Sequence, residues 1–552
     1  MLSDYRSLRA ALTAATLTVA PLCLGLGACL DSGNGINLDL RFPDDPALAP
    51  PDEIAQVSLV YWEPGKPTNR ITRSIEDVRN NPIDEFAPGQ VLRMAVELRT
   101  ATQRLIGFGR VPEPIKIGAD GSASFEIEVR RPFVYLGSDT GIEAIDATQE
   151  ASAGLSSFLR TIDLAVPAQV AVPTYDGQQL AVVLTRRSDP ANQASPLRSE
   201  LMVLRTVDHQ PPAGSVPVPL RTRATDLAIS ADGRYAVIAH ETSLDQTEAG
   251  GLSIVDLEAA TAGQVLVYEL FEQSVGRVSV GVERSGRVYA LTNRLKGLDC
   301  AGAPPSEVLE ILLGTAPVVS KRVPLGTPAQ DLAVADDGSF VVVADSCNST
   351  LWQVPLTDEP APVKFLPEAL PNVSAVALWN NNVWAVTSEI APADRTQPGN
   401  AQIRVVSLDL AGNIEADIPL PPMELTLETP TFSSDGQLAA LQVTADGVYA
   451  FDLAVAPGAG AIALLMENKY AVQADSNGST TFIPEMDILT TEYLLVDVTT
   501  TTAVQHVVSQ CGITISGPAL IDDWRCEKAP GSGEAASSTN AVRGLSVLYG
   551  SR

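Results

Sequence analysis

The sequence predicts an all-β chain, a seven-bladed β-propeller preceded by a small β-sandwich-like unit. Three observations carry that expectation. The stretch DLAISADGRYAVIAHE at 226–241 returns 105 positions later as DLAVADDGSFVVVADS at 331–346. The same punctuation, an apolar run, a two-residue turn and a second apolar run, recurs elsewhere at steps of 41 to 56 residues. No run of helical period lies between the recurrences, so the repeating unit is a sheet and not a helix pair.

Each recurrence reads as a β-hairpin, because Gly tolerates a positive φ and Asp can bond the backbone of its own turn. In chain order the turns fall at Asp176-Gly177, Asp232-Gly233, Ser285-Gly286, Asp337-Gly338, Asn381-Asn382, Asp435-Gly436 and, more weakly, around Ser476. A third apolar strand follows the hairpins, as in LSIVDLEAATAG, LWQVPLTDEPAP and IRVVSLDLAGN, and then a fourth, as in QVLVYEL and VSKRVPL. Four-stranded units of this length bury both sheet faces and protect their edges when arranged in a ring.

Residues 36–133 stand outside the repeat. QVSLVYW, VLRMAVELRT, RLIGFGRV and ASFEIEVRR are strands separated by turns bearing Pro and Gly, the pattern of a small sandwich-like unit. The propeller is expected over 134–552, with FVYLGSDTGIEAID, from Phe133, supplying outer strands of a closing blade that the C-terminal GLSVLYG completes. The polar stretch KAPGSGEAASSTN, 528–540, reads as a loop.

The first residues read as a targeting segment. Arg6 and Arg9 precede an apolar run from Ala10 to Leu26, which ends in small residues before Cys29. Leu26-Gly27-Ala28-Cys29 resembles the bacterial lipobox. That resemblance implies a signal peptide over 1–28, lipid attachment at Cys29 and a tether over 29–35. Leu30 in the position after the Cys implies delivery to the outer membrane rather than retention in the inner one. Several acyl chains, each CH₂ worth roughly 0.8 kcal/mol when buried, would hold such a chain at the membrane without a spanning helix.

Composition limits the partners. The formal charge is −29, and loss of residues 1–28, with two arginines and one aspartate, leaves the mature chain one charge more negative. Such a surface repels phosphates, so nucleic acid is not an expected partner. Of six cysteines, Cys23 leaves with the signal and Cys29 is taken by lipid, leaving Cys300, Cys347, Cys511 and Cys526. An even number in an exported chain suggests two disulfides; of three connectivities the nearest-neighbour one joins Cys300 to Cys347 and Cys511 to Cys526. A zinc site is the rival, but the chain has no Cys-x-x-Cys and only three His.

The repeats resemble the seven-bladed propellers of the YVTN and lactonase-like group, most visibly in GRVYALTN, 286–293, and in PAQDLAVADDG, 328–338. The resemblance covers roughly 134–552 and is weakest at the fifth and seventh turns. It implies the ring fold. Members of that group range from lactone hydrolases to surface proteins with no known chemistry.

Propeller ligands usually sit where first strands converge on the channel. Six residues before the turn markers stand Val170, Asp226, Ser279, Asp331, Ala375, Thr429 and Tyr470. Asp226 and Asp331 could hold a hard cation such as calcium through oxygen; capping of a neighbouring turn or exposure to channel water is the plainer alternative. Eight residues after the markers stand Leu184, His240, Asn293, Asp345, Glu389 and Val443, which makes His240, Asn293 and Asp345 channel-mouth candidates. His240 beside Glu241 could pass a proton, although a solvated His at a strand end is the expected state. There is no Gly-x-Ser-x-Gly, His-Glu-x-x-His or Gly-x-x-x-x-Gly-Lys-Ser/Thr sequence. The expected function is therefore a lipid-anchored envelope protein whose ring binds or scaffolds a protein or glycan. The alternative is a metal-dependent lactonase-like hydrolase with its site at the channel.

Overall fold

The computed structural model describes residues 36–419 apart from breaks, the longest at 75–85, 147–158, 188–196 and 390–401, and beyond residue 440 the backbone of strands. The expectations for 1–35, for the Asp435-Gly436 turn and for 528–540 lie outside the described residues.

The chain begins with strands β1 (Ile36–Arg41), β2 (Gln56–Trp62), β3 (Ile71–Ser74), β4 (Val91–Arg99), β5 (Leu105–Arg110), β6 (Ile115–Lys116) and β7 (Ala123–Glu128). One sheet runs in the order β3-β2-β4-β5, with β6 also on β4, and β1 pairs in parallel with β7. Between the two lies a core that includes Leu38, Leu59, Met94, Val96, Leu98 and Ile127, a sandwich-like arrangement. The alternation of VLRMAVELR supplies it: Leu92, Met94, Val96 and Leu98 face one way into that core.

Seven sheets follow. β8 (Phe133–Ser138), β9 (Gly141–Asp146) and β10 (Leu159–Asp163) form the outer part of the closing blade. The first repeat is β11 (Ala168–Pro173), β12 (Gln179–Arg187), β13 (Leu197–Arg205) and β14 (Val218–Pro219). The second is β15 (Ala224–Ile229), β16 (Tyr235–His240), β17 (Gly251–Asp256) and β18 (Val267–Phe271). A short helix α1 (Leu257–Thr261) interrupts it, capped by Asp256, whose carboxylate accepts from Ala259 N. The third repeat is β19 (Val275–Ser279), β20 (Arg287–Thr292), β21 (Glu307–Leu312) and β22 (Val318–Pro324). The fourth is β23 (Asp331–Val334), β24 (Phe340–Asp345), β25 (Thr350–Pro355) and β26 (Val363–Lys364). The fifth is β27 (Ala375–Trp379), β28 (Asn382–Glu389), β29 (Gln402–Leu408) and β30 (Ile414–Pro419).

The sixth sheet departs from the expected spacing. β31 (Leu441–Ala456) pairs with β32 (Ala461–Ser476), with Ala456 opposite Ala461. Ser476 turns instead into β33 (Ser479–Phe482), a short extra strand on β32. The sheet continues through β34 (Met486–Asp497), β35 (Thr502–Ile515) and β36 (Ile521–Glu527). The turn at Ser476 therefore marks no blade of its own, and the seventh blade is the closing one. There β37 (Val542–Val547) pairs with β8, in the order β10-β9-β8-β37. First strands touch in sequence, β37, β11, β15, β19, β23, β27 and β31, which returns to β37. The ring is closed.

The cores lie between blades. Val183, Leu201 and Val203 of the first repeat meet Leu227, Ile229 and Ile238 of the second. Val237 and Ile254 of the second meet Val278, Val288 and Leu309 of the third. Because both faces of the second to fourth repeats are covered, their second strands are buried at nearly every position and wholly so along YAVIAH, while the outer β22 alternates buried or half-buried with exposed residues.

The turn residues behave as their chemistry requires. Gly177, Gly233 and Gly338 have φ of +70°, +72° and +61°. The neighbouring carboxylates accept the amide two residues on, Asp176 from Gln178 at 3.0 Å, Asp232 from Arg234 at 3.1 Å and Asp337 from Ser339 at 2.9 Å. These short turns and the third-to-fourth-strand turns share one face of the ring; loops from second to third strands leave the other.

Candidate functional site at the inner ring

Strand register, not distance from the turn, decides which residues are equivalent around the channel. Asp226 pairs with Ala239, Asp331 with Ala344, and in the third repeat Arg277 pairs with Leu291. Arg277, and not Ser279, is therefore the third-repeat counterpart of the two aspartates. The turn between β19 and β20 is longer than its counterparts, and counting back six residues from it overshoots. Val170 and Ala375 occupy the same position in the first and fifth repeats.

Arg277 joins the two aspartates across three blades. Its Nε lies 3.2 Å from Asp331 Oδ1, and its Nη1 lies 3.9 Å from Asp226 Oδ1. The opposite oxygens reach forward to the next blade: Asp226 Oδ2 accepts from Val278 N at 2.9 Å and Asp331 Oδ2 from Val376 N at 3.0 Å. β19 and β27 are edge strands of their sheets, where amides lack a ladder partner, and the carboxylates supply one. All three side chains are buried. Four consecutive first strands, β15, β19, β23 and β27, are thus linked by one chain of charged and polar contacts.

This arrangement does not fit a cation. Each aspartate has one oxygen on a backbone amide and the other toward a guanidinium, so an ion placed between them would meet a like charge where ligands are needed. Among the described residues no group of three or more His, Cys, Asp and Glu comes together with the geometry to hold a metal. No step of a lactone hydrolysis follows from these residues.

The three channel-mouth candidates are structural ties. His240 is buried, not solvated, with Nε2 2.8 Å from Ser253 Oγ on the adjacent β17. Glu241 lies outside the described residues. Asp345 is fully buried and accepts from Asn348 N at 3.0 Å, Asn348 Nδ2 at 2.8 Å and Trp352 Nε1 at 2.9 Å. Asn293, with φ +48°, is one residue past the counterpart of His240, which is Thr292. Its Nδ2 donates to Pro305 O at 3.1 Å, and Thr292 Oγ1 accepts from Glu307 N at 3.0 Å. In the fifth repeat the counterpart is Thr387 rather than Glu389. In the second, third and fourth repeats these residues bind the end of the second strand to the third strand or the loop before it.

On the same face Cys300 and Cys347 form a disulfide with Cα atoms 5.7 Å apart. Each lies in the loop from second to third strand, of the third and fourth repeats respectively. Cys511 and Cys526 stand directly opposite each other on β35 and β36.

No protein-family model matches the chain, and no curated protein does. Solved structures similar to it include a nidogen/laminin complex, at 12% identity over 52% of this chain and 92% of that one, with a TM-score of 0.31. A functionally unknown protein from Desulfotomaculum acetoxidans DSM 771 is 11% identical over 64% of this chain and 95% of its own, with a TM-score of 0.38. The β-propeller domain of Myceliophteria thermophila Cps50 (Swd1) is 11% identical over 61% and 95%, with a TM-score of 0.34.

Proposed function

We propose that this chain is a bacterial envelope lipoprotein, acylated at Cys29 and delivered to the outer membrane, whose propeller is a binding or scaffold module for an envelope protein or glycan. The observation that carries the binding reading is the use of Asp226, Arg277 and Asp331 on one another and on backbone amides. The charged groups best placed for chemistry at the channel are engaged in holding blades together. The sequence at 1–29 supports the address, and the Cys300–Cys347 bridge suits an oxidising compartment.

Two measurements test the two halves. Mass spectrometry of the N-terminal peptide of the mature chain, with membrane fractionation, is expected to find a diacylglyceryl-modified Cys29 in the outer-membrane fraction; an unmodified peptide in the soluble fraction overturns the address. In-cell crosslinking is expected to enrich the same envelope protein or glycan at several salt concentrations. Failure to recover any reproducible species overturns the binding reading.

A further inference from the structure

The passage from the β1–β7 unit into the ring contains no slack chain. Val129 N donates to Arg41 O at 2.8 Å, and Arg130 is bonded both ways to Phe108, at 2.8 and 3.0 Å; β8 then begins at Phe133. Arg130 Nη1 reaches into the first repeat and donates to Gly177 O at 2.9 Å, while its Nε donates to Glu128 Oε1 at 3.0 Å. Beside that contact the Tyr175 ring has Arg110 Cζ at 4.2 Å and Arg93 Cζ at 5.1 Å from its centroid. Val60, Trp62, Ala95 and Phe108 share one apolar core with Phe133, Tyr135, Leu180 and Leu184 of the ring. Small polar junctions between units permit hinge motion; a shared apolar core with no spare linker opposes it.

The strands also give the junction a direction. β1 runs parallel to β7, from Ile36 opposite Ala123 to Arg41 opposite Glu128. Its Arg41 end lies beside the junction, so its Ile36 end stands about 17 Å away, five steps of about 3.3 Å. Thr206, in the third-to-fourth-strand turn of the first repeat, donates to the same Gly177 O that Arg130 holds. The unit therefore sits on the turn face of the ring, and the Cys300–Cys347 bridge lies on the opposite face.

We propose that β1–β7 form a rigid pedestal that turns the ring's hairpin face toward the N-terminal end of the chain and leaves the face braced by Cys300–Cys347 pointing outward, away from it. The membrane side of this statement rests on acylation at Cys29; the rigidity does not. The two parts are therefore tested separately.

For rigidity, spin labels are placed at Glu113→Cys on the pedestal and Pro304→Cys on the outward face of the full mature chain carrying Cys29→Ser. A single narrow distance distribution is expected, broadened in a further variant with Tyr175→Ala and Arg130→Gln. A broad distribution in the parent overturns the pedestal. For orientation, the acylated chain is reconstituted in phosphatidylcholine vesicles containing a lipid-borne acceptor dye, with a donor at Gln264→Cys on the turn face or at Pro304→Cys. Energy transfer is expected to be clearly greater from position 264. Equal or reversed transfer overturns the outward presentation. A chain that is not acylated at Cys29 removes the orientation while the distance measurement still decides rigidity.

Discussion

Arg277 Nε lies 3.2 Å from Asp331 Oδ1, two charges on neighbouring blades, 54 positions apart in the chain, that meet because strand register aligns them. The guanidinium lies beside two buried carboxylates, and deleting it removes that balancing charge from both.

Replacing Arg277 with Leu is therefore expected to destabilise the ring by about 3–5 kcal/mol, the usual cost of breaking a buried ion pair by removing one partner. A triple variant, Asp226→Asn, Arg277→Leu and Asp331→Asn, is expected to recover a substantial part of that loss. Equilibrium denaturation of the three proteins checks the ordering. A single variant as stable as the parent would show that the carboxylates need no cation.

The bridge between Cys300 and Cys347 closes a sequence separation of 47 residues. In the chain-entropy account a loop of this size is worth about 4 kcal/mol. Cys300→Ser with Cys347→Ser is expected to lower stability by up to that amount under non-reducing conditions and to make it insensitive to dithiothreitol at this site. Peptide mapping without reduction is expected to join Cys300 to Cys347 and Cys511 to Cys526.

At the hairpins, Gly233→Ala and Gly338→Ala should each cost about 1 kcal/mol or more, because both positions have positive φ. Alanine at Gly250 should cost more for a different reason. A Cβ there would stand 2.6 Å from His240 O and 2.7 Å from Ser274 Cα, both backbone. Thermal melts of the three variants should rank Gly250→Ala as the most destabilised.

Asp409 holds the turn before β30, and hydrogen bonds from the Asn413 side chain and amide, with Ala411 N, lower its pKa below the ordinary carboxylate value. A lowered folded-state pKa contributes stability that is fully present above the unfolded-state value and is lost as pH falls through the folded-state one. The difference in stability between the parent and Asp409→Ala should accordingly be constant near neutrality and shrink on acidification below the unfolded carboxylate range. Parallel denaturation series across acidic pH measure it; a difference that grows toward low pH contradicts the assignment.

The repeat was legible because its turns need particular residues. Gly at positive φ and Asp on a turn amide leave the same two letters at 176–177, 232–233 and 337–338. The inner-ring triad was half legible: Asp226 and Asp331 stand six residues before their markers, but the longer third turn displaced Arg277 from that count. Ser253, thirteen residues beyond His240, could not be chosen as its partner without the pairing of β16 with β17. Blade six was hidden in the same way, since the stretch between β31 and β32, Pro457-Gly458-Ala459-Gly460, lacks the Asp-Gly pair that marks other hairpins, and a side strand after Ser476 mimicked a new repeat.

The pairing of Val542–Val547 with Phe133–Ser138 gives ring closure a fixed place in the order of synthesis. β8, β9 and β10 are made before any of the repeats, whereas β37, which completes their sheet, is made after all of them. Until then Tyr135 and its neighbours on β8 lack one flank. A chain cut before Val542 would lose all of β37, and with it circular closure. Such a product should be cleaved by an added protease faster than the parent, even though nearly every hairpin it needs has already been made.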